Sequence, residues 1–526
     1  MKLPGSKPGV LPGLPGAGGA RPRRAPRWRR RTVAAIACAV VLPLTACVGP
    51  GMPGGPGGPG GGPTPAPTPV PGPTADLSQE LTGGGGPFIG TAIPVDLPAA
   101  GYVQHEYAAA GTATSYKAVG GLSGDGRWRF EPDGTAPYRT RVLVRQPADA
   151  ERFSGTVIVE WLNVSGGVDA DPEWATLHEE IIRAGHIWVG VSAQRLGVLG
   201  GQVLVTVPAP GSELAGKGLK AIDPARYGSL DHPGDGFAYD ILTQVARGVR
   251  GGAGIGGLAP RKLIASGQSQ SAFAMTTYYN GVQPLTGAFD GFYVLSRGAA
   301  GLPLVGPGQN ADLTGALLGG TTTTFRTDQR APVMDVQAES DLTSILGSAK
   351  ARQPDSDRFR LWEIAGTAHA DKHLLGANAA NIDCGVPIND GPMHVVAKAA
   401  LRGLTTWLDT GQPPASAARV TVNEGLFPSV RRDADGIALG GVRTPPVDVP
   451  AVALSGEPGP ALSAICLLIG STKPLPAARL AQLYPSRADY EQRYTAGTAA
   501  AITAGFVLAE DRAALLGYAR PELVAG

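Results

Sequence analysis

Three short stretches of this sequence carry residue types that could together move an acyl group. "KLIASGQSQS" (262–271) places Ser269 just after an apolar run, between Gly267 and Ser271. "VMDVQAESD" (333–341) ends in the acids Glu339 and Asp341, and "LWEIAGTAHAD" (361–371) carries His369 near its end. A serine hydroxyl is a poor nucleophile until a base takes its proton, and imidazole can do so near neutral pH. A carboxylate fixes the tautomer of that imidazole and stabilises the imidazolium. Asp341 follows Ser269 by 72 residues and His369 follows Asp341 by 28, so each group closes a different apolar run. Gly267 leaves room for a strained turn at Ser269. The plain alternative is that Ser269 is only a small residue in a tight bend, and from the residues alone either acid fits His369.

The other histidines fit this chemistry less well. His105, His178, His186 and His232 precede Ser269, and His394 opens a helical pattern. His373 forms "HADKH" with His369, an H-x-x-x-H spacing that could bind zinc. The glutamate of a zincin motif is missing there, and a strand rather than a helix leads in, so no metal and no cofactor is expected.

These residues need a frame, and the pattern predicts one. "TRVLVRQP" (140–147), "GTVIVEWLN" (155–163), "HIWVGVSAQ" (186–194), "KLIAS" (262–266), "AFDGFYVLSRG" (288–298), "APVMDVQAESD" (331–341) and "RFRLWEIAGTAH" (358–369) read as strands. Helical spacing marks 172–185, 236–250 and 394–411, the first and last closing on Gly185 and Gly411. Short, non-alternating apolar runs separated by helices imply an α/β fold, a mainly parallel sheet with helices on both faces. Residues 301–330 interrupt the alternation as an inserted loop or small cap. Residues 412–526 form a C-terminal extension, with a helical end that breaks near Gly505.

The first 86 residues read differently. Residues 1–32 hold nine Lys or Arg and no acid, and "TVAAIACAVVLPLTA" (32–46) is apolar. That run is too short to span a bilayer comfortably and reads as the core of a signal peptide over 1–46. "LTAC" resembles a bacterial lipobox, which implies cleavage before Cys47 and lipidation of its thiol, the only membrane attachment expected. "RRRTVAA" (29–35) is similar to a loose twin-arginine signal. Unmodified secretion is the alternative. Residues 47–86, rich in Gly and Pro, are expected to be a disordered linker, with a catalytic domain over 87–526. Without residues 1–46 the chain carries 36 Lys and Arg against 43 Asp and Glu, a net charge of −7 in place of +2. The basic balance belongs to the leader, and nothing suggests nucleic-acid binding. Of the four cysteines, Cys384 and Cys466 remain once Cys38 and Cys47 are set aside. In an oxidising compartment they most simply pair, against the alternative of two separate thiols.

"GQSQS" resembles the nucleophile elbow G-x-S-x-G of the α/β-hydrolase superfamily, with Ser271 in place of the last glycine. Together with "EWLNVSGG", "AESD" and "AGTAHAD", it is similar to exported bacterial proteins with an alpha/beta hydrolase domain, over about residues 87–520. The resemblance implies the chain order Ser269, then Asp341 or Glu339, then His369. It favours Asp341, which stands three positions after the small residue Ala338. It implies an oxyanion hole from the backbone N–H of Gln270 and of Asn163 or Val164. It further implies an exported serine hydrolase, most simply a carboxylic-ester hydrolase on a small-molecule ester. A peptidase or acyltransferase on the same triad, or a surface binding protein that has lost catalysis, are the other readings.

Overall fold

The computed structural model describes residues 69–525, apart from 91–92 and 426–427. The leader, Cys47 and most of the Gly/Pro segment lie outside the described residues. Nine strands form one sheet: β1 (Asp76–Glu80), β2 (Tyr102–Ala118), β3 (Phe130–Pro147), β4 (Thr156–Trp161), β5 (Ile187–Val191), β6 (Lys262–Gln268), β7 (Gly291–Leu295), β8 (Val333–Ala338) and β9 (Phe359–Ile364). Their spatial order is β1-β2-β3-β5-β4-β6-β7-β8-β9. The six strands from β5 to β9 in that order are parallel, and β1 to β3 extend the sheet antiparallel.

The continuous apolar runs follow from burial on both faces. Every residue of β4, β5, β7, β8 and β9 is buried. In β4, Val157, Val159 and Trp161 join the core on one face, with Ile241 and Val245 of the helix Ala238–Arg250. Ile158 points to the other face, where Leu177 of α1 (Pro172–Arg183) and Leu401 of Met393–Thr410 pack. Burying one such Val or Ile is worth about 1.5–3 kcal/mol. Helix α1 starts on Pro172, whose missing N–H has no intrahelical partner to lose. Among the described residues no helix is long and apolar enough to cross a membrane.

The domain begins earlier than the composition suggests. β1 pairs with β2, and Leu77 and Leu81 are buried, so the stretch assigned to a disordered linker over 47–86 already contributes a strand to the sheet. The apolar residues spaced through "ADLSQEL" are enough to dock it despite the glycines around them. Residues 301–330 lie between β7 and β8 and are anchored rather than loose: Phe325 is buried, and the buried Arg297 donates to the Thr323 carbonyl while pairing with Asp335 at 2.7 Å. The extension carries a two-stranded pair, β12 (Val452–Ser455) with β13 (Ser471–Pro474), after the short pair β10 (Val422–Asn423) and β11 (Ser429–Val430). Its long helix, Arg487–Thr503, stops just before Gly505, where φ is 80°. Cys384 and Cys466 are joined in a disulfide that closes a separation of 82 residues.

Chain order fixes where a site can form. From β4 the chain moves to β5 on one side, then returns to β6 on the other, so a crevice opens at the carboxyl ends of β4 and β6.

Candidate active site

Ser269 sits at the carboxyl end of β6, at φ 60° and ψ −121°, and helix α2 (Gln270–Thr277) starts at the next residue. A left-handed φ is costly for any residue with a Cβ, and such strain gathers at functional sites. The Ser269 N–H donates to the Leu295 carbonyl on β7 at 3.0 Å, which ties the turn down. Gly267 is required by the turn. A Cβ there would lie 2.7 Å from the Ser271 carbonyl oxygen and 2.8 Å from its carbon. Ser271, in place of the expected glycine, is fully buried where the helix passes the strand.

The acid and the base come from the neighbouring strands. After β8 the chain makes a short 3-10 turn, Glu339–Asp341, and His369 follows β9. The Nδ1 of His369 donates to Oδ1 of Asp341 at 2.8 Å, and the other carboxylate oxygen accepts from the Ala338 N–H at 2.7 Å. Because the carboxylate only accepts, Nδ1 carries the proton and Nε2 is left as the basic nitrogen. The backbone N–H of His369 donates to Ser340 Oγ at 2.7 Å. Glu339 faces elsewhere. Its carboxylate accepts from the N–H groups of Gly366 and Gly456, each at 2.7 Å, and from Arg432 at 2.6 Å. The geometry thus brings Asp341, not Glu339, to His369.

Two of the three candidate N–H donors remain usable. The Asn163 N–H is committed to the Ala170 carbonyl at 2.9 Å, which removes it as an oxyanion donor. The Asn163 side chain instead clamps the elbow, donating to the Gln268 carbonyl at 3.0 Å. Val164 N–H reaches only the Oε1 of Gln270, at 3.4 Å, a weak bond that a better acceptor would displace. Gln270 N–H opens α2, where a helix has no internal partner for it. The Gln270 side chain also donates to Gln194, which in turn accepts from Trp161 Nε1 at 3.0 Å.

Ser269 and His369 line one cavity of about 380 Å³. Beside residues of "EWLNVSGG", "GQSQS" and "AGTAHAD", its apolar walls include segments that the sequence does not single out: Val205 and Val207, Leu374 and Leu375, Ile465 and Leu468. No residue of 301–330 lines it, so that segment is not its cap. The two histidines of "HADKH" face different partners. His369 meets Asp341, while the His373 ring stacks on His394 with centroids 3.6 Å apart. His186 bonds Ser154 and His232 bonds the Ala193 carbonyl, both away from the elbow.

Sequence comparison agrees with this geometry at the level of family. A family model described as "Alpha/beta hydrolase domain" matches residues 67–517, and the chain belongs to that family. No curated protein matches it. Among solved structures it is similar to a serine hydrolase without a lid from Xanthomonas campestris, at 13% identity over 58% of this chain and 97% of that one, with a TM-score of 0.27. It is also similar to carboxyl esterase 2 from Tuber melanosporum, at 11% identity over 56% and 88% of the chains, with a TM-score of 0.26. For fungal esterases from Rhizomucor miehei the identity is 13% and the TM-score 0.20, over 36% of this chain and less than half, 45%, of theirs.

Proposed function

We propose that this alpha/beta hydrolase is a serine hydrolase of carboxylic esters, working through Ser269, His369 and Asp341. The observation that carries the reading is the 2.8 Å bond from His369 to the buried Asp341, beside a cavity that Ser269 also lines. Ser269 Oγ attacks the ester carbonyl carbon while Nε2 of His369 takes the hydroxyl proton. The oxyanion accepts hydrogen bonds from the N–H groups of Gln270 and Val164, the second released from its weak bond to Gln270 Oε1. The bond to the alcohol oxygen then breaks, and His369 passes its proton to the departing alcohol. Water repeats the sequence on the acyl-enzyme and releases the acid.

The test is covalent capture. A fluorophosphonate should label wild-type protein at Ser269 and leave Ser269→Ala unlabelled; an unmodified Ser269 in protein that still hydrolyses esters would overturn the proposal. The protein is further proposed to be exported and held at a membrane by lipid on Cys47, from "LTAC" after an apolar segment. Labelling with a palmitate analogue should follow Cys47, and a soluble, unlabelled product with another N-terminus would refute the anchor.

A further inference from the structure

The cavity walls are not interchangeable, because each is tied to a different part of the catalytic group. One wall, with Val205 and Val207, is tied to the loop after β4: the Val205 N–H donates to the Ser165 carbonyl at 2.9 Å, next to Val164. The other wall, with Ile465 and Leu468, is tied to the base. The N–H of Ala370, the residue after His369, donates to the Leu468 carbonyl at 3.1 Å. The imidazole must hand its proton to the leaving oxygen, so the alcohol part of an ester lies on the side of His369. Ile465 and Leu468 therefore face the alcohol, and Val205 and Val207 face the acyl group.

Charge narrows the substrate. Among the described residues lining the cavity, Asp171 is the one acidic or basic side chain apart from the His369 imidazole, and Arg145 meets it at 2.6 Å. The lining holds no Lys or Arg to receive a carboxylate or phosphate. Structure narrows it again. Ile465 and Leu468 lie in the irregular connection between β12 and β13, outside any ladder, and Cys466 stands between them. Its disulfide partner Cys384 lies in another irregular segment. The bridge is the covalent tie that holds this wall in place.

We infer that the substrate is an uncharged ester, apolar on both sides of the scissile bond, and that the Cys384–Cys466 disulfide sets selectivity for its alcohol part by fixing Ile465 and Leu468. The inference rests on the serine hydrolase reading. Hydrolysis of ethyl acetate, hexyl acetate and ethyl hexanoate, followed by acid release, separates the two walls. In Cys384→Ser/Cys466→Ser, the ratio of kcat/KM for hexyl over ethyl acetate should fall about tenfold, the scale of a lost apolar contact. The ratio for ethyl hexanoate over ethyl acetate should stay within about twofold, since the acyl wall is untouched. Leu468→Ser, which keeps the bridge, should lower the first ratio in the same way. If the double variant does not fold, wild-type protein reduced under native conditions, with its two thiols counted, gives the same comparison. An unchanged hexyl preference, or a loss confined to the hexanoate, would overturn the inference. A tenfold preference for charged over neutral esters would do so too. Fluorophosphonate labelling of Ser269 in the same samples keeps the failures apart: labelled protein with unchanged ratios sinks only this inference.

Discussion

His369 has two acids within a few residues of its partner strand, and the structure separates them by what each already holds. Asp341 gives one oxygen to the imidazole and the other to a backbone N–H, whereas Glu339 is filled by two backbone N–H groups and Arg432. Asp341→Asn should therefore lower kcat on a p-nitrophenyl ester by about 10³-fold or more, because the wrong tautomer results. Glu339→Gln should keep most of kcat but lose about 1–3 kcal/mol of stability, as buried donors lose their charged acceptor. The reverse pattern in kinetics and denaturation would reassign the acid. Ser269→Ala and His369→Ala should each cost about 10³-fold or more, with the double variant little worse, since triad losses are not additive. Gly267→Ala should destabilise by about 1–3 kcal/mol and remove turnover, because the obstruction is the Ser271 backbone and cannot swing aside. A thermal melt and an ester assay on the same sample check it. At this scale Ser269, His369 and the acids were legible, since each ends a recognisable strand. That the Asn163 N–H is spent on Ala170 was not legible, because a bridge seven residues away leaves no sequence pattern.

Elements were legible in proportion to their burial. β4 to β9 show as short, largely apolar runs without strict alternation because both faces are covered, and the helices at 172–183 and 393–410 show their helical spacing. β1, β2 and the first half of β3 did not, since half-exposed strands rich in small and polar residues resemble loops. Nor did the sequence show which segments wall the cavity. Val205, Leu374 and Ile465 come from three irregular or very short segments, and only long-range packing brings them together. The disulfide was legible by elimination, and it joins two such segments. On stability, its removal should act mainly through the unfolded chain. Denaturation of Cys384→Ser/Cys466→Ser should show a loss of about 2–5 kcal/mol relative to wild type, from the entropy of a long loop no longer closed. A loss under about 0.5 kcal/mol would mean that the bridge adds no useful constraint.

At the scale of the whole molecule, the groups buried behind the site make stability depend on pH in opposite directions. Burial, with the charge of Asp171 nearby, pushes the Glu160 carboxyl up to about 8, and burial pushes Asp371 to about 7. Burial and the neighbouring Glu160 also raise Glu173. Glu160 accepts from the N–H groups of Glu173 and Trp174 and from Trp188 Nε1, so it is the better place for a charge, and Glu173 the better place for a proton. The unfolded chain releases these protons near pH 4–4.5. The folded chain therefore holds more protons above that point, and stability falls as pH rises towards about 8. His186 works the other way. Burial lowers it to about 4 from its ordinary 6.5, so it weakens the fold as pH drops through that window. His394 and His373 are likewise lowered by burial. From pH 6.5 to 8 the carboxyls are the groups whose folded and unfolded states differ in this sense, and each can cost up to about 2 kcal/mol there. Wild-type protein should be less stable in urea at pH 8 than at pH 6.5. Glu173→Gln keeps the shape and removes one of these protons, so its loss across the same interval should be smaller. A slope as steep as that of wild type would show that the carboxyls beneath the elbow do not set it.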